Sequence, residues 1–256
     1  MDGDVAFWPR PAVEFRPVPP YVLMPAGGMA DPADRKIKGS MSASSPSPVP
    51  AAETESGALS PRALAMRQRL MQAGAELLGE VGIERISTNL VAARAGVTPP
   101  VFYRHFKDKY DLLAALGEDL MLRQNTVLAA WLEGHGDKGF DDLIRAHYQF
   151  LLSSIEVTAT QPGAVWIMRA LRAVPSLSSV RTQSHELVTD RIMEVILSLL
   201  PNANHAELRL RTRIAVEAGY SIIELALEDP DQSPEALCHG LTAMWQGGLR
   251  NGLEQA

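Results

Sequence analysis

Tyr103, Arg104 and His105 stand side by side in the run Thr98-Pro99-Pro100-Val101-Phe102-Tyr103-Arg104-His105-Phe106, and Lys109 follows shortly after. A phenol, a guanidinium, an imidazole and an ammonium on one short surface can hydrogen-bond phosphate oxygens and base edges of a nucleic acid. Phe102 and Phe106 are four apart, so they share a helical face, and that face is apolar. Thr98, Pro99, Val101, Tyr103, Arg104 and His105 are left for the opposite side. Thr98 and Val101 are of a type to touch base edges or thymine methyls, Tyr103 and Lys109 to hold phosphates, and Arg104 and His105 to do either.

No competing chemistry is spelled out in the chain. His147 and His185 lack cysteine or carboxylate partners at metal-ligand spacing. Nucleophile-elbow, phosphate-loop and dinucleotide motifs do not occur. Adjacent acids such as Glu118 and Asp119 sit side by side on a helix and do not face one another. The expectation is a non-enzyme with no catalytic residue, metal or cofactor.

The elements that must position Tyr103 and its neighbours are legible upstream. Ser87 is a good helix cap, because its hydroxyl can accept a free backbone N–H of the first turn. Leu90, Val91 and Ala92 are expected to pack inward, and Gly96 falls where the chain must reverse, with left-handed backbone open to it. Thr98 is a candidate cap for the next helix; Pro99 suits its first position and Pro100 is tolerable in its first turn. Two helices joined by a short glycine-containing turn make a helix-turn-helix. The candidate duplex-DNA-facing set is Ser87, Thr88, Thr98, Pro99, Pro100, Val101, Tyr103, Arg104, His105 and Lys109.

The stretch Ala95 to Leu113, AGVTPPVFYRHFKDKYDLL, resembles the signature of the tetracycline-repressor (TetR/AcrR) family of bacterial transcription regulators. The positions that carry the resemblance are Ala95, Gly96, Val97, Thr98, Tyr103, Phe106 and Lys109, and the upstream Gly79 to Ser87 is similar to the family's glycine-ended first helix. Pro100 departs from the pattern, standing where the family usually has glycine. The resemblance covers about residues 60–120. It implies a homodimeric, ligand-responsive repressor on a near-palindromic operator, with Lys109 on the DNA backbone.

The charge agrees once it is divided. The chain carries a formal net charge of −6. Between Ala58 and Tyr110, eight Arg and Lys against four Asp and Glu give +4, so the remainder carries −10. A basic segment beside the motif suits a phosphate-facing surface, and an acidic remainder is repelled by DNA.

The expected fold is all-α. Residues 1–58 hold ten of the eighteen prolines and a Ser/Pro-rich run, and are expected to be a disordered leader, with Met24, Met29 and Met41 as candidate starts. Residues 59–120 are the expected three-helix DNA-binding domain, and residues 121–256 the α-helical effector-binding and dimerisation domain. A first helix runs from Ser60 to Val81 and stops at Gly82; Arg62, Arg67 and Arg69 near its start are candidate phosphate contacts. A linking helix runs from Asp108 to about Glu133, and four or five helices follow it.

In the last two helices, Ala215, Ala218, Gly219, Ile222, Leu241, Ala243, Trp245, Gly248 and Leu249 mix small and bulky apolar residues, a pattern for a four-helix dimer interface. His147, Tyr148, Trp166, Met168, Arg169 and His185 are the candidate pocket for a small-molecule effector, of bulky apolar or aromatic type. The single cysteine, Cys238, cannot form an intrachain disulfide and fits a reducing compartment, and no apolar run approaches 18 residues, so the expected location is cytoplasmic, away from membrane. A helical small-molecule-binding or protein-docking module that no longer engages DNA is the alternative, resting on Pro100 and the acidic body.

Overall fold

The computed structural model describes residues 60–254, and the expected leader at residues 1–58 lies outside them. The described residues form helices joined by turns and short loops and include no strand. Helix α1 spans Pro61–Arg85. Ser60 caps it, accepting from the Ala63 N–H at 3.3 Å, and Pro61 takes the first position, where a missing N–H costs nothing. Leu70, Ala73, Leu77 and Leu78 form its buried stripe. At Gly82 the backbone leaves helical geometry (φ 72°, ψ 174°), and one further turn follows to Arg85 rather than a loop. A side chain there would be strained by the positive φ, and its Cβ would come to 3.4 Å of the Trp166 ring.

Helix α2 is Thr88–Arg94 and α3 is Pro99–Tyr103. Ser87 caps α2 through the Leu90 N–H at 3.3 Å. Val91 and Ala92 are buried as expected, but Leu90 is 44% exposed, because a seven-residue helix has room for one inward face only. Thr98 makes no side-chain cap on α3; its carbonyl accepts from Val101 N–H at 2.9 Å instead. Two prolines open α3, so little backbone N–H is left there for a cap to satisfy.

Helix α4, Lys109–His135, is 27 residues long, about 40 Å at 1.5 Å per residue. Asp108 accepts from the Tyr110 and Asp111 N–H groups at 2.8 and 2.9 Å, while Asp111 reaches back to the Lys107 N–H at 2.8 Å. That reciprocal arrangement fixes where α4 starts relative to α3. The body follows as α5 (Phe140–Ala159), α6 (Ala164–Ala173), a 3-10 turn (Pro175–Leu177), α7 (Ser178–Leu199), α8 (His205–Glu228) and α9 (Pro234–Glu254).

Helix α4 packs on α1 and α6 at one end and on α5 and α7 further along, and α8 and α9 pack on each other and on α5. Gly163, at φ 66°, enters α6 against α1; a Cβ there would lie 2.4 Å from the Ala75 carbonyl oxygen. Only a glycine allows that close an approach. Trp131, His147, Phe150 and Trp245 pack as one aromatic group, with Trp131 stacked on Phe150 at 4.8 Å and His147 tilted against Trp245 at 4.3 Å.

Of the residues expected at a dimer face, Gly219, Leu241, Trp245 and Leu249 are buried within the chain, Ala215, Ala218, Ile222 and Gly248 are half-buried, and Ala243 is exposed. The exposed side of α8 and α9 instead carries Leu210, Ile214, Leu225 and Met244, outside the expected set, the last 74% exposed. Trp245 turns inward because the aromatic group of α4 and α5 receives it.

Candidate nucleic-acid interface and body cavity

The α2–α3 corner is held from beneath. Phe102 and Phe106 are fully buried, with ring centroids 5.6 Å apart. Arg67 of α1 lies 4.3 Å over the Phe106 ring and its Nη1 donates to the His105 carbonyl at 2.9 Å. Cation–π attraction and a charge-assisted hydrogen bond therefore clamp the end of α3 to α1. Arg67 was a candidate phosphate contact; its guanidinium instead has this internal partner. Arg94 bridges α2 to α1 through Glu80 at 2.6 and 2.8 Å and Glu76 at 3.5 Å. The hydrogen bond from Arg94 holds the Glu80 carboxyl below its usual range.

The outer side of the corner presents most of the expected set. Thr98, Pro99, Pro100, Tyr103 and Arg104 are exposed, and Ser87, Thr88, Val101, His105 and Lys109 are half-buried. Tyr103 is 55% exposed, and its hydroxyl meets Thr88 Oγ1 at 3.0 Å, which ties α3 to the start of α2. Lys109 reaches the Ile83 carbonyl at 3.4 Å and lies 5.3 Å over the Tyr110 ring. Its ammonium is thus directed by the turn after Gly82. The ten residues come from α2 and its cap Ser87, Thr98 before α3, α3 itself, Arg104 and His105 just past its end, and the first position of α4.

The six expected pocket residues do not gather in one place. His147 lines a cavity of about 40 Å³ enclosed by α4, α5, α7, α8 and α9. Met168 and His185 line a smaller one, of about 10 Å³, with Arg172, Arg181 and Tyr220. Tyr148 stacks on His239 at 4.1 Å, Arg169 pairs with Glu228 at 2.9 Å, and Trp166 packs between Arg169 and Gly82, so these three line neither space.

The larger cavity has polar residues that periodicity did not single out: Gln124 and Asn125 of α4, Thr212 of α8 and the Trp245 indole of α9. A signal for the first two was present, since Gln124-Asn125 interrupts the apolar stripe Leu116, Leu120, Leu128. Burial pushes the His147 imidazole down to about 3, and its Nδ1 meets Thr242 Oγ1 at 3.0 Å. His185 is stacked on Tyr220 at 3.8 Å. Its Nδ1 lies 3.0 Å from Glu217 Oε1 without the alignment of a hydrogen bond, so burial prevails over the carboxylate and lowers its pKa. No helix among the described residues is long and apolar enough to cross a membrane.

The comparisons with known proteins fall on the same division. The model of "Bacterial regulatory proteins, tetR family" matches residues 70–116. The class C tetracycline repressor protein of Escherichia coli is 40% identical over 60 residues, which are 23% of this chain and 27% of that protein. The chain thus spans about a quarter of the length of the curated relatives it matches. Among solved structures, a tetR-family transcriptional regulator from Streptomyces coelicolor aligns with a TM-score of 0.58 at 17% identity, over 75% of this chain and 84% of that one. SmeT, the repressor of the Stenotrophomonas maltophilia multidrug efflux pump SmeDEF, aligns at 0.55 and 18% identity, over 71% of this chain and 88% of that one. At these identities the structural likeness shows the fold.

Proposed function

We propose that the chain is a member of the tetR family of bacterial regulatory proteins, on the match over residues 70–116, and that it is a DNA-binding transcriptional regulator acting as a ligand-responsive homodimeric repressor. The observation that carries the reading is the α2–α3 corner: Tyr103 and Arg104 exposed on a five-residue helix whose Phe102 anchor is buried. In this reading residues 59–120 bind DNA and residues 121–256 bind effector and partner copy. Thr98, Pro99, Pro100 and Val101 approach base edges, Ser87, Thr88, Tyr103 and Lys109 hold the backbone, and Arg104 and His105 serve either.

Two copies are needed to fill successive major grooves about 34–36 Å apart. The exposed Leu210, Ile214, Leu225 and Met244 supply an apolar face for that pairing. An effector bound in the body shifts the spacing of the two corners by binding one spacing more tightly than the other. Helix α4 is the mechanical link, because it begins at Lys109 and lines the cavity with Gln124 and Asn125.

The test is a gel-shift series on the promoter region of the protein's own gene over rising salt. Binding is expected to fall steeply with salt, and Tyr103→Ala or Lys109→Ala to weaken it at all sequences alike. Affinity untouched by either change, or a flat salt response, overturns the reading. Ile214→Asp should convert dimer to monomer in analytical ultracentrifugation; a monomeric parent protein overturns the dimer.

A further inference from the structure

We propose that the larger body cavity takes an uncharged, single-ring aromatic ligand bearing both a hydrogen-bond donor and an acceptor. No Asp, Glu, Lys or Arg lines the cavity. Its one titratable imidazole, His147, is deeply buried and stays neutral across physiological pH. A carboxylate or ammonium brought in would therefore be buried without a counter-charge, which is strongly unfavourable. Rings line the space, among them His147, Phe150 and Trp245, and they match a flat apolar body. A cavity of about 40 Å³ holds roughly three waters and is well below the roughly 150 Å³ of a dry benzene-binding cavity, so a single ring is the upper limit of size and enters only as the lining side chains move outward.

The polar half of the match comes from buried atoms that lack partners. Gln124 Oε1, Asn125 Oδ1, Thr212 Oγ1 and Trp245 Nε1 make no hydrogen bond within the protein, and all four residues line the cavity. Gln124, Thr212 and Trp245 are each at least nine-tenths buried. The orientation of Gln124 is set by its neighbours. The Thr158 hydroxyl donates to the Ser154 carbonyl at 2.6 Å, so its oxygen is left to accept, and it accepts the Gln124 amide N–H at 2.8 Å. Gln124 therefore has its oxygen, not its nitrogen, left over. The unmet needs are carbonyl oxygens on α4 that want a donor and an indole N–H on α9 that wants an acceptor. Buried groups of this kind are satisfied in native proteins, and a bound molecule with both functions satisfies them. A ring carrying a primary amide or a hydroxyl has that chemistry.

The inference rests on the regulator reading only for the ligand's effect on DNA, not for its chemical class. The test is calorimetric titration of the full chain at neutral pH with four probes of one shape: benzamide, benzoate, benzylammonium and toluene. Benzamide is expected to bind saturably, toluene about tenfold more weakly, and the two ions at least about a hundredfold more weakly. Trp245→Phe keeps a ring and removes the N–H, and should weaken benzamide about tenfold while leaving toluene unchanged. Gln124→Glu, checked for folding by circular dichroism, should turn the preference toward benzylammonium. An ion binding as well as benzamide, saturable heat from none of the four, or both variants leaving selectivity unaltered overturns the proposal. In a parallel gel shift, selective benzamide binding with no change in DNA affinity supports the ligand class and overturns ligand-responsive regulation. Salt-sensitive DNA binding without benzamide selectivity overturns the ligand class and leaves the DNA-binding reading standing.

Discussion

The α2–α3 corner and the α8–α9 pair are both built on apolar residues, and they use them differently. In the corner, Phe102 and Phe106 are buried and the residues between and after them, Tyr103, Arg104, His105 and Lys107, are polar, so one spacing decides one face. In α8 and α9 apolar residues lie all round: Val216, Ile223, Leu241, Trp245 and Leu249 inside, Leu210, Ile214, Leu225 and Met244 outside. A short amphipathic segment announces its own burial. A long helix with two apolar faces does not, because its neighbours determine which face is inside and which is left for a partner.

The contrast can be broken most directly at the corner. Phe106→Ala should cost about 3–5 kcal/mol in urea unfolding followed by circular dichroism, since the void opens beneath a helix of five residues. A cost below about 1 kcal/mol would mean that the corner is not seated on its phenylalanines.

The body should show a pH dependence that begins at higher pH than the corner's, where the Glu80 carboxyl lowered by Arg94 titrates only in acid. With His147 held neutral to about 3, the unfolded chain takes up a proton below about 6.5 that the folded chain refuses. Stability is then complete above the unfolded pKa and lost as pH falls, by about 2 kcal/mol at pH 5. His147→Gln should flatten that part of the profile, and an unchanged slope would assign it to other groups.

Arg67→Met should cost about 1–2 kcal/mol, because the His105 carbonyl loses its donor and the Phe106 ring its cation. DNA affinity measured on the folded fraction should drop with it, since Arg67 holds the end of α3 through the His105 carbonyl. Tyr103→Phe is the smallest change: loss of the Thr88 contact should alter stability by less than about 1 kcal/mol while DNA affinity falls measurably. A variant with full affinity would show that the phenol oxygen is not a backbone contact.

The helix boundaries were read well wherever capping chemistry marks them. Ser60-Pro61, Ser87, Pro99-Pro100 and Asp108 each stand at a helix start. The misreadings share one cause. Leu90 lies outside, Arg67 turns inward, Thr98 does not cap, and Trp245 fills the core. In each case the partner that decides the outcome is distant in the chain or preset by a neighbouring proline. The cavity is the same problem: Gln124 meets Thr158 across 34 positions, and His147 meets Thr242 across 95. The six pocket candidates share residue type and not a common neighbourhood, and only His147 lines the larger space.

What the sequence by itself determined is therefore local: the all-helical class, the caps, the reversal at Gly96, and the phenylalanine pair that points Tyr103 and Arg104 outward. These follow from backbone geometry and from neighbours within one or two turns. Tertiary structure alone decided which face of α8 and α9 stays exposed, that Arg67 clamps the recognition corner, and that unpartnered amide, hydroxyl and indole groups converge on one neutral cavity. Those outcomes depend on through-space meetings of residues far apart in the chain, and no local periodicity encodes them.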